Sequence, residues 1–560
     1  MIYIHSRVLE ASLAGKESVE QIKRASQGLR GDIATELKAP VSGFAAETVQ
    51  ILKFHGIYQQ DDRDQRRALR EAGSAKSYSM MIRVPVPGGE LSREQYLALD
   101  QLADTLGGGK FRLTTRQAVQ FHGVVKGDLK PLMQELDQVW LPTISGCGDV
   151  VRNIMSPPGP FTAEVADLSQ WARELAQVLR PETQAYYEIW LDQERAVSLE
   201  AEPIYGATYL PRKFKIAFCL AGDNSVDIYS QDVGIVGIPK GGRIERFVIL
   251  VGGGLGITHG VKDTRPFLAQ PLATVAPGEL TPVVSEIIKI QRDYGNREDR
   301  KHARMKYLIA NWGLPKFKDE LEARLGRKLA EPEPLFWQGA SDFLGWQPDG
   351  ESLANGLYIP AGRVQGRLKE ALLEAIKYAQ GAVVTPQQNL VLRGIKPEEQ
   401  NRVAEILAQK VESIAPLRRR ALACPALPTC GLALAEAERV LPELLERLEQ
   451  CLADLELANL PLELRLTGCP NNCARPFTAE IGVVGRSLGS YNLYLGGSPR
   501  GDRLARLYAE NVPFAEVPEQ IRSLLLAYQS GCQPGEAVGD FFYRTGLGQP
   551  WPEPVVSARP

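Results

Sequence analysis

The chain repeats itself, and the repeat limits what it can fold into. Met81-Ile-Arg-Val-Pro-Val-Pro-Gly-Gly89 reads as a strand running into a turn. Ser92 and Gln95 have capping-box spacing, and Leu99, Leu102, Ala103 and Leu106 share one face of the helix they open. Gly107 to Gly109 stop that helix, and one strand over Phe111–Val124 is expected next. The plan returns at Leu357-Tyr-Ile-Pro-Ala-Gly362, with Leu372, Ala375, Ile376 and Ala379 on a helix face and a strand over Val383–Ile395. Thr114 matches Thr385, Gln117 matches Gln388 and Gly123 matches Gly394. Arg112, Arg116 and His122, however, become Val383, Gln387 and Arg393, so one copy is equipped for an acidic ligand and the other is mainly scaffold. A weaker match joins Gly234–Ile238 and Val248–Leu255 to Gly482–Gly485 and Tyr491–Gly497. Two copies of a small unit followed by a larger one, without regular strand–helix alternation, predict an α+β class with a ligand at the junction of the copies.

At 560 residues the chain exceeds one ordinary core, and two to four domains are expected. A net charge of −2 gives no global field for nucleic acid or a membrane, so any anion site must be a local cluster of Arg and Lys. No apolar run approaches the roughly 18 residues of a spanning helix. Met1-Ile-Tyr-Ile-His-Ser-Arg7 meets a charge too early for a secretory leader. Eight cysteines in this length are no disulfide framework, which points to a reducing, cytoplasmic setting. The histidines at 5, 55, 122, 259 and 302 are too scattered for a bis-His haem or an HExxH metal site.

Four cysteines form two close pairs in the second large unit, Cys424/Cys430 and Cys469/Cys473. The first pair is wide for a zinc knuckle and no His is near, whereas four thiolates suit a [4Fe–4S] cluster. Four unrelated buried thiols are the plain alternative. Pro470 predicts the first turn of a helix, with Cys473 one turn beyond Cys469 on the same face. Cys451, in the stripe Leu444, Leu448, Leu452 and Leu455, and Cys219, ending a strand from Lys215, are expected in the core. Cys147 and Cys532 carry no signal.

Lys213 and Lys215 lie two apart on a strand entered after Pro211, so they share a face while Phe214 points away; a solvent-facing strand is the alternative. Arg297, Arg300, Lys301 and Arg304 recur at helical spacing, with interleaved acids that also fit a solvated helix face. Arg83, inside an apolar strand, requires either an acidic protein partner or an anionic ligand. Gly252-Gly-Gly-Leu-Gly256 does not satisfy the dinucleotide fingerprint, and no phosphate-binding P-loop is present. A metal-redox site without a flavin or nicotinamide site must draw its electrons from another protein.

Taken together, these motifs resemble the sulfite/nitrite reductase family, which couples sirohaem to a [4Fe–4S] cluster. The carriers are His55–Asp64, Arg112–Gln117, Tyr209–Lys215, Gly252–Gly254, Gly295–Arg297 and both cysteine motifs, and the similarity runs from about His55 to Phe542. The resemblance implies an N-terminal arm (1–75), ferredoxin-like half-domains (76–145 and 346–420) and larger sirohaem- and cluster-binding α+β units (146–345 and 421–560), related by a pseudo-two-fold axis. It implies that Cys424, Cys430, Cys469 and Cys473 bind the cluster and that the Cys473 thiolate also ligates the sirohaem iron. Arg83, Arg152, Lys213 and Lys215 match the family's substrate-binding positions. Arg112, Arg116, Gln120, His122, Arg212, Arg297, Arg300 and Lys306 would hold the polycarboxylate macrocycle. The implied reaction is six-electron reduction of sulfite to sulfide, with an NADPH-dependent flavoprotein or ferredoxin as donor. Nitrite reduction to ammonia is the alternative on the same scaffold. A non-catalytic iron–sulfur sensor is the alternative of another class, and it would not require a polycationic pocket. The first fifty or so residues match little beyond Leu29-Arg-Gly31, and Ser156 replaces a cysteine of some relatives, which excludes a thioether there.

Overall fold

The computed structural model describes residues 18–193, 202–408 and 414–552; His5 and the Met1–Arg7 stretch lie outside them. One five-stranded sheet has the order Ile57–Asp61, Tyr78–Val84, Val119–Val124, Phe111–Leu113, Arg363–Val364. A second has the order Gly345–Asp349, Ser352–Leu357, Leu390–Ile395, Gly381–Val384, Glu90–Ser92. All neighbours in both are antiparallel. The copies therefore trade edge strands: Glu90–Ser92 completes the second sheet and Arg363–Val364 the first. Gly89 and Gly362, at φ +79° and +76°, turn the chain across. A Cβ would meet Val384 O at 2.4 Å in one and Leu113 O at 2.2 Å in the other, so only glycine fits this close approach.

The expected single strands over Phe111–Val124 and Val383–Ile395 are instead hairpins. In each turn a threonine hydroxyl replaces ladder bonds. Thr114 Oγ1 accepts from the N–H of Arg116 and Ala118, and Thr385 Oγ1 from those of Gln387 and Asn389. Gln117 and Gln388 then sit at φ +50° and +65°. The Thr and Gln matches seen in the sequence are thus one turn built twice. Behind the first sheet lies the helix Arg93–Thr105, capped by the Ser92–Gln95 box. It buries Tyr96 and Leu99 completely, at about 1.5–3 kcal/mol for each large side chain.

The larger units hold matching sheets. Ile216–Leu220 runs parallel to Val233–Lys240, which continues antiparallel to Arg243–Val251 and Gln270–Val275. Leu464–Thr467 runs parallel to Ile481–Ser487, which continues antiparallel to Ser490–Leu495 and Arg506–Pro513. The registers coincide: Ile216 opposes Val233 as Leu464 opposes Ile481. So do the loops, where Asp227 N–H donates to Asn224 O as Arg475 N–H does to Asn472 O. Gly252 N–H donates to Asp232 O as Gly496 N–H does to Glu480 O. These pairs make Ser225 the counterpart of Cys473, Asp227 of Arg475, and Lys215 of Glu463. Among the described residues no helix is long and apolar enough to cross a membrane.

Candidate active site at the junction of the two copies

The first small sheet carries a polar row across its strands. Arg83 opposes Gln120, Gln120 opposes Arg112 and Arg112 opposes Arg363, so all four side chains share one face. Tyr58 lies under the Arg83 guanidinium, 5.7 Å from ring centre to Cζ. With its amide oxygen turned towards Arg83, Gln120 accepts from Nε at 2.9 Å and Nη2 at 2.6 Å. Among the described residues no carboxylate pairs with Arg83, whose contacts are the Gln120 amide and the Tyr58 ring. His122 binds Gln60 Oε1 through Nδ1 at 3.2 Å, while its Nε2 is buried without a partner.

The segment Arg212–Lys215 closes this face from the first larger unit. The strand begins only at Ile216, so Lys213 and Lys215 stand in the extended run before it. Phe214 is fixed inward by bridging Val151, and both lysines face a cleft shared with Arg304, Asn471 and Arg475. Burial, then Arg116 and Arg304, lowers the Lys215 pKa to about 7. Burial, then Arg212 and Lys215, pushes Lys213 well below its usual value. Burial chiefly lowers Arg116 to about 9, and Arg212 falls to about 10 for the same reason together with Arg300. Asp149 and Asp232 offset only part of this charge, and a bound anion would favour the charged form of the rest. Arg152 adjoins the group, donating to Gly148 O at 2.8 Å and Gly146 O at 3.3 Å.

Other expected contacts are spent within the protein. Arg297 is held by Glu20 at 2.5 Å, Tyr209 O and Arg292 O. Arg300 pairs twice with buried Asp149, at 2.8 and 3.0 Å. Lys306 is buried and donates to Gly254 O, Gly256 O and Arg265 O, so the glycine run is a fixed wall of the cleft. Arg112 donates to Ala361 O and Ala423 O and approaches Glu438 at 3.3 Å, bracing the loop that carries Cys424. The Arg297–Arg304 stretch is not helical. The helix stops at Tyr294, and Asn296 Oδ1 takes the N–H of Glu298 and Asp299 in a local turn.

The cysteine loops meet this face from the second unit. Residues 469–473 form a turn rather than the expected helix, because Asn472 lies at φ +64° and Ile257 N–H takes Pro470 O. Cys424 and Cys469 are buried, Cys430 is half-buried and Cys473 is exposed, near enough to Lys215 and Arg83 to act on their charge. Burial, then the neighbouring Cys473, pushes Cys469 up to about 12 and raises Cys424 well above its usual value; Cys430 rises for the same two reasons. As thiolates these groups would repel one another, so ionising them together takes a compensating positive charge. Arg63, which the sequence reading passed over, clamps this loop through Ala433 O at 2.6 Å and Cys430 O at 3.3 Å. A cavity of about 970 Å³ includes Arg152 and Asn153 in its walls but no cysteine. Cys219 is fully buried as expected, whereas Cys451 is only half-buried.

Two family descriptions match the chain. The nitrite/sulfite reductase ferredoxin-like half domain matches residues 74–139 and 347–410, and the nitrite and sulphite reductase 4Fe-4S domain matches residues 170–329. The sulfite reductase [NADPH] hemoprotein beta-component of Geobacillus kaustophilus is 42% identical, covering 96% of this chain and 97% of that protein. That of Acidithiobacillus ferrooxidans is 43% identical over 95% and 97%. The chain belongs to the nitrite and sulfite reductase family. Its fold is also similar to that of the Mycobacterium tuberculosis NirA protein, with a TM-score of 0.79 and 25% identity over 95% of this chain and 98% of that one. The family's 4Fe-4S domain description falls on the larger unit that lacks the cysteine pairs; its cysteine-bearing counterpart is the repeat at the other side of the axis.

Proposed function

We propose that the protein reduces sulfite to sulfide at a sirohaem joined to a [4Fe–4S] cluster, as the hemoprotein subunit of an NADPH-dependent sulfite reductase. The observation that carries this reading is the gathering of Lys213 and Lys215 in one cleft, with Arg116 and the exposed Cys473 close enough to Lys215 to act on its charge and Arg83 within the same reach of Cys473. The residues fit both groups. Orphaned buried donors at Arg116 Nε and Asn472 Nδ2 await acceptors, as macrocycle carboxylates would supply, while His122 Nε2, left an acceptor by the Nδ1–H bond to Gln60, is unpaired beside them. Cys424, Cys430, Cys469 and Cys473 would bind the cluster, with Cys473 reaching the sirohaem iron as well. When bound, the two groups would supply the single electrons that the reduction of sulfite requires.

The protein's part is charge and protons. Sulfite is a small dianion, and the forked guanidinium groups of Arg83 and Arg152 fix and neutralise it. Its oxygens leave as water and need protons. Lys215, lowered to about 7, is suited to give up a proton, Lys213 is lowered beside it, and a bound polyanion favours the charged form of both. No flavin or nicotinamide fingerprint is present in the sequence, which supports a separate flavoprotein as the NADPH-oxidising donor. The test is the spectrum and turnover of purified, loaded protein. Strong red-region bands and faster reduction of sulfite than of nitrite with a chemical reductant are expected. Colourless protein, or a preference for nitrite, contradicts the proposal.

A further inference from the structure

The duplicated turns meet at one side chain, Arg475. Its Nη1 donates to Thr115 O at 2.9 Å and its Nη2 to Pro386 O at 3.0 Å. These carbonyls belong to equivalent positions of the two threonine turns, one from each copy, so the guanidinium straddles the pseudo-two-fold axis. Its Nε is paired with Asp227. Asp227 is the counterpart of Arg475 itself: both lie in the left-handed region, at φ +51° and +58°, and each precedes a short 3₁₀ turn, Ile228–Ser230 and Pro476–Thr478. One ancestral position has thus acquired opposite charges in the two copies, and the two side chains bond to each other across the axis. Arg465 donates to both Asp227 oxygens, at 3.2 and 3.1 Å, which fixes the carboxylate. The assembly reaches the cysteine turn at a second point, where Thr115 Oγ1 donates to Cys473 O at 2.8 Å. Both Arg475 and Asp227 are buried.

We propose that Arg475, oriented by Asp227, is a positioning residue: its forked guanidinium ties both halves of the duplication to the turn of Cys473 and so sets the backbone from which that thiolate reaches its metal partners. A lone buried ion pair would serve stability equally well with any cation. Here two planar N–H groups meet two carbonyls, a geometry that lysine cannot reproduce. The inference rests on the proposed role of Cys473, and its test separates the two.

Arg475→Lys keeps the charge opposite Asp227 and loses the fork. Thr115→Val removes only the hydroxyl donated to Cys473 O. Parent and variants are purified with cofactors and compared by iron content, thermal unfolding, electron paramagnetic resonance of the reduced protein and midpoint potential. Arg475→Lys is expected to fold and keep iron, while the haem–cluster exchange signature and turnover drop roughly 10–100-fold, as for lost support around a metal ligand. Thr115→Val is expected to shift the same signals in the same direction by less. Unaltered signatures and potentials in both variants overturn the inference and leave the proposed function standing. If Arg475→Lys does not accumulate, Thr115→Val decides alone: a parental spectrum overturns the inference and a shifted one supports it. A parent that lacks the coupled signature defeats the reading beneath it instead.

Discussion

The row Arg83, Gln120, Arg112, Arg363 in the first small sheet has an exact positional counterpart in the second: Gly356, Val391, Val383, Glu90. One face keeps its cations, with Arg112 and Arg363 both at Glu438 and Arg83 on the Gln120 amide, and the other is closed by its own chain. Phe343, Ala354, Val383 and Val391 form an apolar cluster with Phe161 against it. A Cβ on Gly356 would lie 1.7 Å from Phe343 O, so the covering segment sits directly on the sheet. The larger units diverge in the same sense. Lys215 faces the cleft, while its counterpart Glu463 is bound to Arg465. Cys473 is exposed, while the hydroxyl of Ser225 is buried without a partner. A duplication supplied two sites, and one was turned into packing by substituting a handful of side chains on an unchanged backbone.

The sharpest test of that asymmetry is the Cys473/Ser225 pair. Cys473→Ser is expected to abolish haem–cluster coupling and sulfide production, beyond the ~10–100-fold typical of changes behind a ligand. Ser225→Cys is expected to leave iron content and turnover unchanged; extra iron bound by that variant would mean that the second site is still competent. Next comes Lys215→Met, expected to slow sulfite turnover about 10²–10⁴-fold with both cofactors retained. Glu463→Gln in the other copy should leave the rate per folded molecule alone while lowering stability, and a shared rate effect in the two variants would break the comparison. Third, Phe343→Ala should cost about 3–5 kcal/mol in denaturant unfolding with kcat unchanged, because it hollows the closed face only.

The smallest effect is in the pH dependence of stability. Burial, against the N–H bonds from Gly539 and Glu463, raises Glu480 to about 7. A raised carboxyl keeps its proton in the folded state, so its contribution is full below the unfolded value and is lost as pH rises from about 4.5 to 7, by about 3 kcal/mol at most. Its counterpart Asp232 is instead paired with Arg304 at 2.7 Å. Glu480→Gln should flatten the unfolding free energy across that interval, and an unchanged slope would remove Glu480 as its source.

Much of this was legible in the sequence because it is local. The Ser92 cap, the helix faces and the Thr and Gln matches report short-range geometry, and the cysteine spacing reports a ligand set. The loss of charge at Val383 already marked which copy was scaffold. What escaped is non-local or depends on single torsions. Pro470 suggested a helix that Asn472, in the left-handed region, does not allow. Periodic arginines from Arg297 suggested another, which the Asn296 turn pre-empts. The Asp227–Arg475 pair lay within reach, since both residues sit the same distance before the matched glycines Gly234 and Gly482. Nothing in either half signals the exchange of edge strands, because each partner is written far away in the chain.

That exchange bears on how the protein is made. Arg112 bonds Ala361 O, 249 residues further on, next to the strand that seals its sheet. At ~5–20 residues per second on a ribosome, the rim at Phe111–Leu113 waits roughly 10–50 s for its neighbour to be synthesised. During that interval a nascent chain carries an open β edge able to recruit another molecule. Truncation between the halves should therefore yield sticky fragments rather than a working half-enzyme.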